Sequence, residues 1–455
     1  LETPHPEDLN QFRDGDDWYE VRTETVHIPV AGRDAPTAFT IRYTRNGPLI
    51  SEKPPIALRW TAHDIGTLGI DAFLDLNLAE DWSQFNVVLD RLAAPSLNAT
   101  YADVDGNIGF RTIGILPDRS QGVGLYPLQG DVPANRWRGT IAAEQMPRVL
   151  NPPCGFLAAA NARVNAAGDG PLVSADNAAP YRIRRIQQIL SADKLLSIDD
   201  MCRLQTDWHD GQAAHLLPHL LASIEAEKLA PSGKQALRLI EEWHSEPTAS
   251  ADSAAALVFQ AWYLQIAREV FAAPLGEDFY QRLLKRNYVL NHALDALLLS
   301  DDATWWHGKK PVRLATALDQ AVSDLTDRFG PDQAAWRLDH AQQLTLAHEL
   351  GKAEPALAPL FNLSTHSFGG SPASVGRASY RYHRPFQVSH GATVRVAADM
   401  QAVPEVRAVM PSGQSGHPLS NHYADQFNAW LDGRHISVHA TPSDVSGDIL
   451  TLTPE

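Results

Sequence analysis

Cysteine is scarce in this sequence, with two in 455 residues, Cys154 and Cys202. No CxxC spacing occurs, which excludes a zinc knuckle and a thioredoxin-like redox pair. The two thiols are read either as one disulfide or as two separate buried side chains acting as small hydrophobes. Positive charge is also in short supply. Lys and Arg number 38 against 54 Asp and Glu, for a net charge of −16. Binding a nucleic-acid backbone needs clustered cations, and the densest run is only Arg182, Arg184 and Arg185, so a nucleic-acid partner is excluded. No uninterrupted apolar run reaches the length of a membrane span. The opening LETPHPEDLNQFRDGDD is polar and acidic, unlike a signal peptide. Familiar catalytic signatures are missing too: there is no GxSxG, HExxH or Walker loop.

What remains is an ordinary globular composition, 44% hydrophobic and 20% charged. Its length suggests two or three packed lobes rather than one core. Eleven Trp and eleven Tyr point to large apolar contacts or an apolar pocket. YEVRTETVHIPV and TAFTIRYTRNGPLIS alternate with period two around AGRDAP, which predicts a hairpin of half-buried strands, and IALRWTAH predicts a further strand. Residues 69–92 carry helical spacing with Asp81 as an N-cap, and NATYADVDGNIGFRTIGILPDR reads as a hairpin turning at Asp105-Gly106. The Gly- and Pro-rich residues 116–155 read as a surface excursion carrying Trp137. From about Pro180 to His348 apolar residues recur every three or four positions, and Ser197, Ser232 and Asp278 look like caps. Beyond residue 365 the pattern returns to strands, followed by a short helix, HYADQFNAWLDG, stopping at Gly433. This order predicts an α+β class: a β-rich part over 1–180, a mainly helical lobe over 181–360, and a β-rich C-terminal part over 361–455.

Four places could carry chemistry. GQSG at 413–416 loosely resembles a nucleophile elbow; read blandly, it is a tight turn whose glycines permit positive φ. With His422 and Asp425, Ser415 would complete a Ser-His-Asp set, whereas His417 and His422 near Asp425 fit hydrogen bonding better than metal ligation. His63 and Asp64 follow a strand, where a general base could sit or a polar pair simply end the strand. Asn161 ends the small-residue run of NPPCGFLAAANARV. Its neutral amide could stabilise an oxyanion, or it could bond its own turn. Phe73, Trp82 and Phe85 could line an acyl pocket, with helix packing the simpler reading.

Seven segments taken together resemble the β chain of the penicillin acylases, members of the N-terminal nucleophile hydrolases. They are RYTRNGPLIS, IALRWTAHD, YADVDGNIGFRTIGILPDR, RWRGTIAAEQMPRVLNPPCGFLAAANARV, PYRIRRIQQIL, GGSPASVGRASYRY and PSGQSGHPLSNHYADQFNAWLDG, in family order over nearly the whole chain. The resemblance implies two stacked antiparallel β-sheets flanked by helices, with a long helical insertion. It implies hydrolysis of an acyl amide by an N-terminal serine whose free α-amine is the base, after a precursor cleaves itself into a heterodimer. It places Asn161 in the oxyanion hole and Arg182 beside the active site as an orienting group. Asp176 falls near a family calcium ligand, at a different spacing. The chemistry requires no cofactor; a structural calcium is the one ion implied. Exported relatives imply a periplasmic or extracellular location.

Leu1 departs from the pattern, because leucine cannot serve as the nucleophile. The expected partners are therefore an α chain and an N-terminal β segment carrying the serine, together with a small acyl amide as substrate. The chain by itself is expected to be inactive, and to pair with that missing half or self-associate through exposed sheet edges. The contrasting expectation is a noncatalytic scaffold or binding module that lacks the nucleophile. Acyl groups of β-lactams, homoserine lactones and lipopeptides all remain open as substrates.

Overall fold

The computed structural model describes residues 1–64, 69–165, 168–192, 195–300, 303–401 and 404–438. Residues 439–455, the end of the expected C-terminal β part, lie outside them. The chain divides into two compact units, 1–177 and 178–455, so the helical lobe and the C-terminal strands share one unit.

In the first unit the predicted hairpin forms. Strand Arg22–Ile28 pairs antiparallel with Thr37–Thr44, in register from Arg22↔Tyr43 to Ile28↔Thr37. Strands Gly47–Glu52 and Pro55–Ala57 extend the sheet. The hairpin is more open than its alternation predicts. Val26 and Phe39 face one another across the strands, yet they are 37% and 58% exposed. Period-two patterning marks which face is apolar; it does not supply an element to cover that face. The strand expected over IALRWTAH stops at Ala57. The chain leaves the sheet as Arg59 stacks over Trp137 at 4.8 Å, and Thr61–His63 closes into a single 3-10 turn.

Asp81 caps helix Trp82–Leu89 as expected, its Oδ1 accepting from the Gln84 amide at 2.8 Å. Leu89, Leu92, Ala72 and Ile113 close a small core between this helical segment and the hairpin Leu97–Ala102/Ile108–Ile113. Gly106 takes φ of 86° at the turn of that hairpin, a conformation a side chain would resist. The stretch 116–155 is mostly exposed and turn-rich, as its glycines and prolines predict, but it also carries short strands that the sequence did not show. Pro117–Arg119 pairs with Trp137–Thr140, and Arg148–Leu150 adds a strand to the Ile108–Ile113 edge. Strands of three or four residues leave too few positions for alternation to register.

The second unit is built on helix Ala254–Leu275, apolar on nearly every face and therefore central. Ser253 caps it through the Ala256 amide at 3.1 Å, and Gly276, with φ of 76°, ends it. Helix Lys310–Phe329 packs along it, and Trp262, Trp306 and Trp336 are fully buried nearby. The Trp262 indole donates to the Leu314 carbonyl at 2.9 Å, so its burial leaves no orphan donor. Each such large side chain contributes roughly 1.5–3 kcal/mol on burial. Ser197 caps helix Ile198–Leu204 in a full capping box with Asp200. Ser232 and Asp278 are not caps. Their helices begin earlier, behind Ala230 with Pro231 in the first turn and behind Gly276, which makes each residue the second of its helix.

The C-terminal strands form two further sheets. One runs Leu363–Ser367, Gln343–Leu346, Gln387–His390, Ser379–Tyr380, with a parallel pairing between the middle two. The other is the meander Arg395–Asp399, Glu405–Val409, Ile436–Val438. Helix Phe427–Leu431 stops at Gly433, φ 71°, as read from sequence, and Trp430 stacks on Phe368 at 5.3 Å. Segregated helices and mainly antiparallel sheets make this an α+β fold. Cys154 and Cys202 are free thiols. Neither is fully buried as expected: Cys202 is half-buried, and Cys154 sits exposed at a turn closed by the Gly155 amide on the Pro152 carbonyl, 2.9 Å.

Candidate active site

Asn151 and Asn161 bracket one stretch, and both hold left-handed backbone, with φ of 48° and 62°. That region costs an ordinary L-residue about 1–2 kcal/mol; asparagine tolerates it best after glycine. Asn151 is the turn asparagine: its Oδ1 accepts from the Ile108 amide at 2.9 Å and its Nδ2 donates to Asn107 at 2.8 Å. Asn161, exposed like Asn151, follows directly on the buried Ala160.

Arg182 lies in the first turn of helix Tyr181–Leu190. It is half-buried rather than a solvated helix-surface charge. Burial pulls its guanidinium below the usual arginine value, the neighbouring Arg377 adds to this, and Tyr288 opposes it. A desolvated guanidinium beside a second one favours an anionic or carbonyl oxygen as company. The helix has Pro180 at its N-cap, which provides no side-chain cap bond. Two contacts hold it instead. The Tyr181 hydroxyl donates to Asp295 Oδ2 at 2.7 Å, and Arg185 reaches Asp207 with Nε at 3.0 Å and Nη2 at 2.8 Å.

Asp176 is exposed in a turn where its amide bonds Ser174 Oγ at 3.1 Å. Among the described residues no group of three or more His, Cys, Asp or Glu gathers as a candidate metal site. Asn161 and Asp176 belong to the first unit and Arg182 to the second.

The remaining candidates resolve into structural roles. Asp64 is taken by Arg59 at 2.7 Å, and His63 packs edge-on against Trp60 at 5.3 Å. His422 Nδ1 bonds Asp425 at 2.8 Å, but the Ser415 hydroxyl accepts from the His417 amide at 3.1 Å, and the Ser415 amide donates to the His422 carbonyl at 3.0 Å. The GQSG stretch is thus a stapled turn. Gly413 is needed there for close approach rather than positive φ, because a Cβ would collide with the His422 carbonyl. Trp82 stacks on Phe85 at 5.7 Å and both meet Tyr101, while Phe73 is 41% exposed. Trp137 lines a cavity of about 540 Å³ together with Arg59 and Arg119.

The sequence gives no direct sign of Asp295, buried in the second unit. It is the one acid in the apolar run LDALLL, and its partner Tyr181 lies 114 positions away. An acid interrupting a buried stripe was the available signal.

A family model described as Penicillin amidase matches residues 1–447. The chain belongs to the penicillin amidase family. Among curated proteins, the Acyl-homoserine lactone acylase QuiP of Pseudomonas fluorescens is 27% identical over 471 residues, 95% of this chain and 56% of the relative. The Penicillin acylase 2 proenzyme of a Pseudomonas species is 28% identical over 455 residues, 94% of this chain and 55% of the relative. The chain spans about half the length of these curated relatives. Among solved structures, a thermostable penicillin G acylase from Alcaligenes faecalis superposes with a TM-score of 0.74 at 19% identity, over 100% of this chain and 86% of that one. That likeness bears out the fold class. Among the described residues no helix is long and apolar enough to cross a membrane.

Proposed function

We propose that this chain is the oxyanion-bearing part of an amide-bond acylase. Its nucleophile is a serine at the start of a β chain, supplied by residues outside this sequence, and its partner is an α chain released by self-cleavage. The observation that carries the reading is Asn161, exposed and left-handed after a run of small residues, in a member of the penicillin amidase family. Small side chains at Ala158, Ala159 and Ala160 leave room for a substrate backbone beside the amide.

The chemistry follows from the parts. The serine hydroxyl attacks the amide carbonyl and passes its proton to the serine's own α-amine, whose ordinary pKa suits a base near neutral pH. The carbonyl oxygen becomes an oxyanion, and the Asn161 amide donates a hydrogen bond to it. The C–N bond then breaks and the leaving amine takes the proton. Water repeats the attack on the ester, releasing the carboxylic acid and the serine. Arg182, with its planar fork of donors, is the orienting group of this reading. This sequence of steps needs no cofactor. Relatives named for acyl-homoserine lactones and for penicillin support small acyl amides of these kinds as its substrates, and the reading sets the enzyme in the periplasm or outside the cell.

The test is turnover. Full-length gene product is expected to release free amine from an acyl-homoserine lactone or a penicillin, whereas this chain alone releases none. A folded, processed full-length product that turns over neither substrate overturns the reading and leaves the scaffold role. Turnover by the isolated chain would rule out a nucleophile supplied from elsewhere.

A further inference from the structure

One buried carboxylate ties four helices together. Asp295, on helix Asn287–Leu299, is 7% exposed. Its Oδ2 accepts from the Tyr181 hydroxyl at 2.7 Å, and its Oδ1 accepts from the Tyr263 hydroxyl at 2.8 Å and from Gln212 Nε2 at 3.0 Å. Tyr181 opens the helix of Arg182, Gln212 lies on helix Gly211–Ser223, and Tyr263 lies on helix Ala254–Leu275. One turn before Asp295, Asn291 Oδ1 accepts from the Tyr382 hydroxyl at 2.7 Å.

Stability alone does not call for this arrangement. Polar groups in an apolar core can commonly be replaced by well-packed hydrophobes at little cost, whereas a fixed hydrogen-bond set specifies position. Position is what the Arg182 helix lacks from its own sequence. Its N-cap is a proline without a side-chain cap bond, and its first turn holds no acidic residue. Tyr181, directly before Arg182, is the residue tethered.

We propose that Asp295 is a positioning residue for Arg182. Through the Tyr181 hydroxyl it fixes the first turn of the helix from which the Arg182 guanidinium projects. The inference rests on the acylase reading for its consequence in turnover, and on the hydrogen bonds of the second unit for the tether itself.

Two tyrosine-to-phenylalanine variants of the full-length gene product separate positioning from packing. Tyr181→Phe and Tyr382→Phe each remove one buried hydroxyl from a bond of 2.7 Å, and only the first reaches Asp295. Tyr181→Phe is expected to lower kcat by about tenfold with KM held within about twofold, since small displacements of an orienting group cost rate. Tyr382→Phe is expected to stay within about twofold in both, the change attributed to packing alone. Equal losses in both variants, or an unchanged kcat in Tyr181→Phe, overturn the proposal. Asp295→Asn is expected to follow Tyr181→Phe, and the phenylalanine variant decides should the asparagine variant fail to fold. Should the wild-type product itself show no turnover, the acylase reading falls while the tether is still judged by deuterium uptake. Faster exchange across residues 181–190 in Tyr181→Phe but not in Tyr382→Phe supports it, and equal exchange overturns it.

Discussion

Asn161 meets two demands at once: a backbone in the left-handed region and an amide at the surface. Glycine satisfies the first demand and not the second, which makes Asn161→Gly a sharp probe. In the full-length product it is expected to keep the left-handed backbone without strain, with stability changed by no more than about 1 kcal/mol. Turnover should fall by about 10²- to 10³-fold as the oxyanion loses a donor. Melting temperature and kcat measured on one preparation check both halves, and retained turnover would remove Asn161 from the mechanism. At this scale legibility depended on company. Asn161 stands in a motif, so seven segments in order could lift it above a turn amide. Asp295 stands in no motif; its meaning lies in donors 32, 83 and 114 positions away, which local spacing cannot show.

Among the elements, helices were easier to read than strands. Ala254–Leu275 and Lys310–Phe329 are long enough for a period of three and four to repeat, whereas Ser379–Tyr380 is two residues and leaves no period at all. Caps were read from residue type, and the structure separates the true from the apparent. Ser197→Ala is expected to cost about 1 kcal/mol, since its hydroxyl accepts the Asp200 amide and completes a capping box. Ser232→Ala is expected to change stability by less than about 0.5 kcal/mol, as a substitution at a position that does not cap its helix. Chemical denaturation of the pair checks the contrast; equal losses would mean that Ser232 serves a bond beyond the helix start. The strand Arg22–Ile28 shows the complementary gap, where alternation identified the apolar face and burial was a separate question.

For the molecule as a whole, acid sensitivity concentrates in the second unit. His209, His215, His390 and His435 are each held below the usual 6.5, first by burial and then by neighbouring charge, chiefly arginine. A histidine with a depressed folded value binds its proton more readily in the unfolded chain. Its contribution to stability is therefore complete above 6.5 and is lost as pH falls below 6.5 through the folded value. Melting of the second unit should accordingly shift to lower temperature below that pH, and His209→Gln should flatten the shift. A flat profile would show that these rings titrate normally. The pair of thiols carries a different consequence. Cys154 belongs to the first unit and is exposed, while Cys202 belongs to the second, half-buried, with its thiol pushed up by burial. Thiolate, not thiol, is the reactive form, so a maleimide dye taken up first by Cys154 leaves Cys202 for a second colour. The native sequence thus provides a donor–acceptor fluorophore pair, one dye on each unit, with which energy transfer can follow their separation in solution without introducing a single substitution.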